Sequence, residues 1–233
     1  MDSSQIERGT FIRELKNRFL CTVSINGEST ECYIPSSCRL ENFIALEGRT
    51  VFLLPNKSPN ARTRYSIFAV RLGRQNILLN LSYANQIIDE GLGGRRFSFL
   101  GPRTTVYRER TIAGYKSDLF IADTKTLIEI KSLLSFDEVA FFPSIDSERR
   151  IKQLSDLSAL LQGGFRVAYF LVSLNPKVHE IQISTEDEAF TSLFRECVER
   201  GMIVRGIAVK LRKGRPTIDR MIPVSIDHPY ASL

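Results

Sequence analysis

Histidine is scarce in this chain of 233 residues, which contains only His179 and His228. Because both stand apart from every other motif, the sequence argues against a histidine-dependent mechanism. The four cysteines form no Cys-x-x-Cys pair, so we expect no zinc site and predict buried, reduced thiols in a cytoplasmic protein.

No apolar run approaches the roughly 18 residues of a membrane span, and the first residues lack the pattern of a secretory signal. We therefore expect no membrane partner.

Long runs of Lys or Arg are also missing, yet the formal net charge is +6. Residues 1–80 carry 11 basic and 7 acidic side chains, whereas the rest of the chain carries 21 and 19. This excess of positive charge at the front favours a nucleic-acid partner that is contacted partly through the N-terminal region. Charge alone does not establish such a partner, since moderately basic proteins without one are common.

Two short apolar segments, at 117–121 and 128–131, carry charged residues at a strand-like spacing. Asp118 lies at the start of the first, and Glu129 and Lys131 lie in the second. Side chains two residues apart on a strand share a face, so Glu129 and Lys131 project together. If Asp123-Thr124 forms a hairpin turn, Asp118 lies opposite Glu129 with Cβ atoms roughly 5 Å apart. This is the spacing of the PD-(D/E)xK nuclease site, where two carboxylates hold Mg²⁺ or Mn²⁺ and the lysine orients water or neutralises the scissile phosphate.

The same spacing is compatible with a cross-strand ion pair at an exposed sheet edge. Two observations favour the metal site instead. Apolar residues flank Asp118 and Glu129 on both sides, as in buried strands. A third acid, Glu109, lies on the preceding extended run, and three acids that converge at one end of a sheet are best explained by a cation. Glu109 either completes a second metal position or pairs with Arg108 or Arg110.

Five short strands within the first 80 residues predict a small OB-like β-barrel. They cover residues 18–25, 31–34, 50–54, 65–72 and 76–79. The predicted nucleic-acid-binding residues are the basic side chains of the last hairpin, an interleaved tyrosine and one arginine at the barrel's start: Arg62, Arg64, Arg71, Arg74, Tyr65 and Arg18. The open alternative is that Phe68 lies in the core and that Tyr65 is only partly buried.

Beyond residue 81 the pattern becomes α/β. A helix at 82–90 opens this region, so we place a domain boundary between residues 1–80 and 81–233. The later elements are strands at 104–112, 115–122 and 126–132, a helix at 146–162, a central strand at 166–172, a helix at 186–200 and a strand at 203–209. This order predicts a mixed sheet flanked by helices, as in PD-(D/E)xK nucleases.

From about Lys16 to Val224 the chain resembles the sugar fermentation stimulation protein A (SfsA) family. The matching segments are Arg18-Phe19-Leu20, Asn80 to Asn85, Gly114 to Asp118, Glu129-Ile130-Lys131-Ser132, Phe142-Pro143 and Glu148-Arg149. The resemblance implies an N-terminal OB-like domain, a C-terminal PD-(D/E)xK nuclease-like domain and binding to DNA. The family name reflects a proposed regulatory role in sugar metabolism, so a non-catalytic DNA-binding protein with such a role is the alternative.

The chain departs from the family pattern in two places. Residues 35–39 lack the family's Asn and Gly, and Ile151 and Gln153 replace Gln and His on the helix after Glu148. Polar contacts from this helix to the active site would then come from Glu148, Lys152 or Gln153. Glu148 and Lys152 are equally suited to forming an ion pair with each other at the surface.

The predicted active-site residues are retained despite these departures. The predicted metal ligands are Asp118, Glu129 and the backbone carbonyl of Ile130, with Lys131 as catalytic lysine and Glu109 as an outer acid. We therefore predict a Mg²⁺- or Mn²⁺-dependent nuclease that acts on DNA. Whether it also acts on RNA is left open by the sequence.

Overall fold

The computed structural model describes residues 6–17, 19–35, 40, 45–56, 58, 60–143 and 148–226. The first strands are β1 (Glu7–Glu14), β2 (Leu20–Ile25), β3 (Glu28–Tyr33), β4 (Thr50–Pro55), β5 (Tyr65–Leu72) and β6 (Gln75–Leu78). They form one sheet in the order β3-β2-β1-β4-β5-β6, and a parallel pairing of β3 with β5 closes the first five strands into a barrel. The predicted OB-like barrel is thereby confirmed.

The strands that form the barrel differ from the predicted ones at the beginning and at the end of this region of the chain. The prediction lacked β1, whose eight residues include a single buried side chain, that of Phe11, and so show no clear alternation. Segment 76–79 was assigned to the barrel, but β6 lies outside the closed ring and extends the edge of β5. Gly9 in β1 approaches β2 so closely that a Cβ atom would lie 2.4 Å from Cγ1 of Val23.

The remaining elements build the second region. Its strands are β7 (Val106–Arg108), β8 (Thr111–Ile112), β9 (Tyr115–Lys116), β10 (Leu119–Ile121), β11 (Thr126–Leu133), β12 (Val139–Phe142), β13 (Arg166–Ser173), β14 (Glu180–Ile183), β15 (Ile203–Arg212), β16 (Arg215–Ile222) and β17 (Val224–Ser225). Its helices are α1 (Tyr83–Gly91), α2 (Glu148–Gln162), α3 (Glu188–Glu199) and a 3₁₀ helix (Arg95–Leu100).

A six-stranded mixed sheet forms the centre of this region, in the order β16-β15-β13-β11-β10-β7. The three central strands, β11, β13 and β15, run parallel, and the outer strands pair antiparallel. Strands β12, β14 and β17 form a small parallel sheet, and β8 and β9 form a two-stranded hairpin. The predicted mixed sheet flanked by helices is confirmed.

Both faces of the central sheet are covered by apolar side chains. Residues of α1 and the 3₁₀ helix, such as Ile88 and Phe97, pack with Ile128 and Phe170 on one face. Side chains of α2 and α3 pack on the other face. This double coverage explains why β13 reads as a continuous apolar run, since a strand buried on both sides has no polar face.

The barrel packs against the same side of the sheet as α1. Phe68 and Leu78 belong to the apolar cluster that contains Ile88, and the Leu78 amide donates a hydrogen bond to the Leu174 carbonyl at 3.3 Å. The predicted domain boundary falls in the short segment between β6 and α1. Among the residues that the structure describes, no helix has the length and apolar character needed to cross a membrane.

Candidate functional site

The hairpin of β10 and β11 has the register that its sequence predicts. Leu119 faces Ile128 and Ile121 faces Thr126, with Asp123 at the centre of the turn. The Asp123 carboxylate accepts hydrogen bonds from the side chain of Thr104 at 2.5 Å and from the backbone amide of Thr105 at 2.9 Å. The turn is therefore tied to the segment before β7, and continuing the register places Asp118 opposite Glu129.

Asp118 is half-buried, and its carboxylate accepts two hydrogen bonds. Its Oδ2 accepts from the Ile130 amide at 2.7 Å, and its Oδ1 accepts from Nδ2 of Asn85 at 3.0 Å. Burial and the negative charge of Glu129 raise the pKa of Asp118, against the effect of these donors and of Lys131. Each carboxylate oxygen keeps one lone pair for a further partner.

Glu129 is buried, with 4% of its surface exposed, and three donors converge on its carboxylate. Lys131 Nζ and Gln153 Nε2 each donate to Oε1 at 2.6 Å. The hydroxyl of Tyr115 donates to Oε2 at 2.6 Å and itself accepts from Gln153 at 2.9 Å. Burial and the charge of Glu129 raise the pKa of Tyr115, so this hydroxyl keeps its proton. Both lone pairs of Oε1 are used, and Oε2 retains one.

The carboxylate oxygens of Asp118 and Glu129 are suitable ligands for a hard divalent cation. Two carboxylates face each other across a hairpin, each with an unused lone pair on an oxygen, and their mutual repulsion is partly responsible for the raised pKa of Asp118. A cation between Asp118 and Glu129 would remove that repulsion, and oxygen ligands are those that Mg²⁺ and Ca²⁺ prefer. The backbone carbonyl of Ile130 lies on the same strand between Glu129 and Lys131.

Glu109 does not join the two carboxylates. Its amide donates to the Asp118 carbonyl at 2.9 Å, but its side chain is 71% exposed and binds Nζ of Lys116 at 2.7 Å. This ammonium lowers the pKa of Glu109. Arg108 pairs with Asp89 rather than with Glu109. Within the described ranges, no group of three or more His, Cys, Asp or Glu side chains is placed to hold a metal, so the expected convergence of three acids is not found.

Of the three candidate helpers on α2, the structure brings Gln153 to the carboxylate of Glu129. Glu148 and Lys152 are exposed, and the structure records no ion pair between these two described residues. Helix α2 follows β12 and packs its apolar face against the sheet through Leu154 and Leu157. That packing turns Gln153 toward Glu129.

Two residues of the site, Tyr115 and Asn85, were missed by sequence reasoning. Both lie in segments that match the SfsA family, Gly114 to Asp118 and Asn80 to Asn85, but their residue types did not indicate a role. Tyr115 follows a left-handed turn at Gly114, which has φ +83°, and this turn carries its hydroxyl back to Glu129. Asn85 comes from α1, 33 residues before its partner.

Replacing Tyr115 with Phe should lower the free energy of unfolding by about 1.5–3 kcal/mol, because a buried carboxylate loses one of its donors while the ring still packs. Chemical denaturation measures this change. The matched control is Tyr107→Phe, whose side chain is 40% exposed and which should change stability by less than about 0.5 kcal/mol. Equal effects of the two substitutions would contradict a structural role for the Tyr115 hydroxyl.

On the barrel, the four predicted arginines form two pairs rather than one cluster. Arg62 and Arg64 lie in the loop before β5, whereas Arg71 lies near the end of β5 and Arg74 in the turn that leads to β6. Arg64 and Arg71 are seven residues apart, which is roughly 23 Å along a strand. Arg62 is exposed and pairs with Glu31 at 3.4 Å. Arg18 lies outside the described residues.

The prediction that Tyr65 is an open aromatic platform is wrong. Its ring is 8% exposed, belongs to the barrel core and lies beneath the guanidinium of Arg64, which is 5.2 Å from the ring centroid. Phe68 is 1% exposed and packs in the core shared with α1, as the alternative reading had it. Tyr65 is therefore covered inside the barrel and Phe68 is covered where the barrel meets α1, so neither ring lies at the surface.

Comparison with known proteins matches two family models. The model described as the SfsA N-terminal OB domain covers residues 14–79, and the one described as the sugar fermentation stimulation protein RE domain covers residues 82–215. The second match alone spans more than half of the chain, and the two matches follow each other in the order of the barrel and the mixed sheet.

Individual relatives agree with these matches over nearly the whole chain. A sugar fermentation stimulation protein homolog of Ruminiclostridium cellulolyticum is 23% identical over 232 residues, 97% of this chain and 100% of that protein. The homolog of Caldanaerobacter subterraneus subsp. tengcongensis is 27% identical over 85% of this chain and 88% of that protein. Pyrococcus furiosus SfsA, solved in complex with Ca²⁺, superimposes with a TM-score of 0.78 at 20% identity over 97% of this chain and 98% of that one, which shows a shared fold. The chain belongs to the SfsA family.

Proposed function

We propose that this protein is a divalent-metal-dependent nuclease that hydrolyses phosphodiester bonds of DNA. The observation that carries the proposal is the convergence of Asp118, the buried Glu129 and Lys131 at one end of the β10–β11 hairpin. Burying the Glu129 carboxylate opposite a second carboxylate costs free energy, even with three hydrogen-bond donors around it. A cation bound between the two carboxylates, beside Lys131, would offset that cost.

In this proposal Asp118, Glu129 and the Ile130 carbonyl would hold Mg²⁺ or Mn²⁺. When bound, the cation supplies charge stabilisation at the scissile phosphate and lowers the pKa of bound water. The Nζ atom of Lys131 lies 2.6 Å from Oε1 of Glu129, and 22% of the Lys131 side chain is exposed. Since an ammonium has three donors and one is given to Glu129, the others remain for a phosphate oxygen or the attacking water. Tyr115 and Gln153 orient Glu129.

The solved relative supports a divalent cation in this family, because Pyrococcus furiosus SfsA is described in complex with Ca²⁺. Ca²⁺ and Mg²⁺ both select oxygen ligands and differ in size and in the geometry that they accept. The Ca²⁺ complex therefore favours a cation site in this chain. That Mg²⁺ or Mn²⁺ supports catalysis there is part of our proposal.

The barrel would hold the nucleic acid in this scheme. The excess of basic residues in the first 80 positions suits phosphate contacts, and the two arginine pairs that flank β5 are candidates for them. Their separation of roughly 23 Å would let them contact phosphates several nucleotides apart rather than a single point.

The direct test incubates the purified chain with single-stranded DNA, duplex DNA and RNA in Mg²⁺, Mn²⁺ or EDTA. We expect cleavage of DNA in Mg²⁺ or Mn²⁺ and none in EDTA, because the carboxylate pair needs the cation. The Asp118→Asn variant, purified in the same way, controls for contaminating nucleases.

A wild-type protein that binds DNA in a salt-dependent manner but cleaves no substrate under any of these conditions would contradict the nuclease proposal. Such a result would favour the non-catalytic DNA-binding function.

A further inference from the structure

A cleft of about 380 Å³ lies on the barrel surface where the β1–β2 connection, the end of β3 and the loop before β5 meet. Its walls include Asn17, Phe19, Tyr33, Asn56, Arg62 and Thr63. Two of these residues are aromatic and stack on each other: the ring centroids of Phe19 and Tyr33 lie 6.3 Å apart and their planes are 21° from parallel. Tyr33 is 39% exposed, so part of this stack faces the solvent.

Hydrogen bonds hold the walls of the cleft in place. Asn17 Oδ1 accepts from the Phe19 amide at 3.1 Å, and the Phe19 carbonyl accepts from the Ile34 amide at 2.8 Å. On the opposite side Asn56 Nδ2 donates to the carbonyl and the hydroxyl oxygen of Thr63 at 2.8 and 3.0 Å. The cleft is thus preorganised, which reduces the entropy lost when a ligand binds.

A positive charge stands beside the stacked rings. The Arg62 side chain is 72% exposed, and its ion pair with Glu31, at 3.4 Å, is of the exposed kind that contributes little to stability. A phosphate could therefore replace Glu31 as its partner at small cost. A solvent-facing aromatic stack beside an exposed arginine is the combination that holds a base by its π-face and the adjoining phosphate by charge.

We propose that this cleft binds a nucleobase of single-stranded nucleic acid, with the base stacked on Tyr33 and the adjoining phosphate paired with Arg62. The occupant is a single strand because the faces of duplex bases are already stacked on their neighbours. The inference rests on the proposed nucleic-acid function and adds to it the form of the substrate that the barrel holds. It also replaces Tyr65, which the barrel core buries, as the aromatic contact.

The chain contains no tryptophan, so a Tyr33→Trp substitution introduces a single fluorescent reporter into the cleft. We would titrate this variant in EDTA at low salt, where cleavage is excluded, with an oligothymidylate of about 12 nucleotides, within the site size of an OB fold. The matched control is Phe141→Trp, at a position that is also 39% exposed. Anisotropy of the labelled oligonucleotide measures binding independently.

We expect the oligonucleotide to quench the fluorescence of Tyr33→Trp, with the same Kd as the anisotropy, and not that of Phe141→Trp. Tyr33→Ala should weaken single-strand binding by roughly 5- to 150-fold, as loss of one base–aromatic stack does, while Tyr33→Phe should bind like wild type. The corresponding duplex should quench Tyr33→Trp far less.

Two results would overturn the inference, and they differ in what else they affect. If the oligonucleotide binds but neither quenches Tyr33→Trp nor loses affinity with Tyr33→Ala, or if duplex quenches equally, the cleft is not a single-strand base site and the nuclease proposal is untouched. If wild type binds neither single strand nor duplex at low salt, the nucleic-acid function itself is wrong.

Discussion

Replacing Glu129 with Gln should abolish metal-dependent cleavage, with a fall in turnover of roughly 10³-fold or more, because several kcal/mol of charge stabilisation is lost with the cation. The geometry explains why this position is sensitive. Oε1 of Glu129 is already occupied by Lys131 and Gln153, so Oε2 is the oxygen with a lone pair for the metal. A neutral amide at this position also puts an N–H₂ group among three donors.

Asp118→Asn is the control that separates lost chemistry from lost folding. Since the pKa of Asp118 is raised in the folded protein, its charge lowers stability at pH values above its titration, and removing that charge should leave the free energy of unfolding unchanged or higher. Glu129→Gln instead removes the charge partner of Lys131 and should lower the free energy of unfolding by about 1–3 kcal/mol. Thermal unfolding measures both.

We therefore expect two inactive variants, of which Glu129→Gln alone is destabilised. If Asp118→Asn cleaves DNA as fast as wild type, Asp118 is not a metal ligand and the proposed site is wrong.

Replacing Lys131 with Ala should lower turnover by roughly 10²–10³-fold while the protein still binds Mg²⁺ or Mn²⁺. The lysine donates to Glu129 without being a ligand, so both carboxylates remain, and Tyr115 and Gln153 still hold Glu129. Calorimetric titration with each metal, beside a cleavage assay, distinguishes the loss of catalysis from the loss of the cation.

The matched control is Lys152→Ala on α2, an exposed lysine one residue from Gln153. It removes the same charge near the site and should leave turnover unchanged. Were Lys131→Ala to cleave at the wild-type rate, Lys131 would be only the ion-pair partner of Glu129, and the role assigned to the Glu-x-Lys motif would be incorrect.

Local patterns were sufficient for the hairpin at the site and for the central strand of the sheet. Leu119, Ile121, Ile128 and Ile130 recur at every second position of the two strands, and these four residues lie in one apolar cluster beneath α1. The run at 166–172 predicted a buried strand, which the structure extends by one residue, to Ser173. In each case the information lies within a few neighbouring residues, since alternation and turns are local properties.

Elements whose burial depends on distant partners were missed. Strand β1 has a single buried side chain, that of Phe11, and its place in the barrel follows from its pairing with β2 and β4. Strands β12, β14 and β17 are two to four residues long and pair in parallel across large sequence separations. Strands this short contain too few residues for a period to emerge from the sequence.

The sequence by itself determined the barrel, the mixed sheet and the pairing of Asp118 with Glu129, because hydrophobic periodicity and turn residues encode strand identity and register. Only the tertiary structure decided which side chains complete the site. Tyr115, Asn85 and Gln153 reach the carboxylates from a hairpin and two helices, whereas the side chain of Glu109, next to Asp118 in the sheet, turns away to Lys116. It also decided that Tyr65 is buried and Tyr33 exposed, since the closure of the barrel sets which face of each strand points inward.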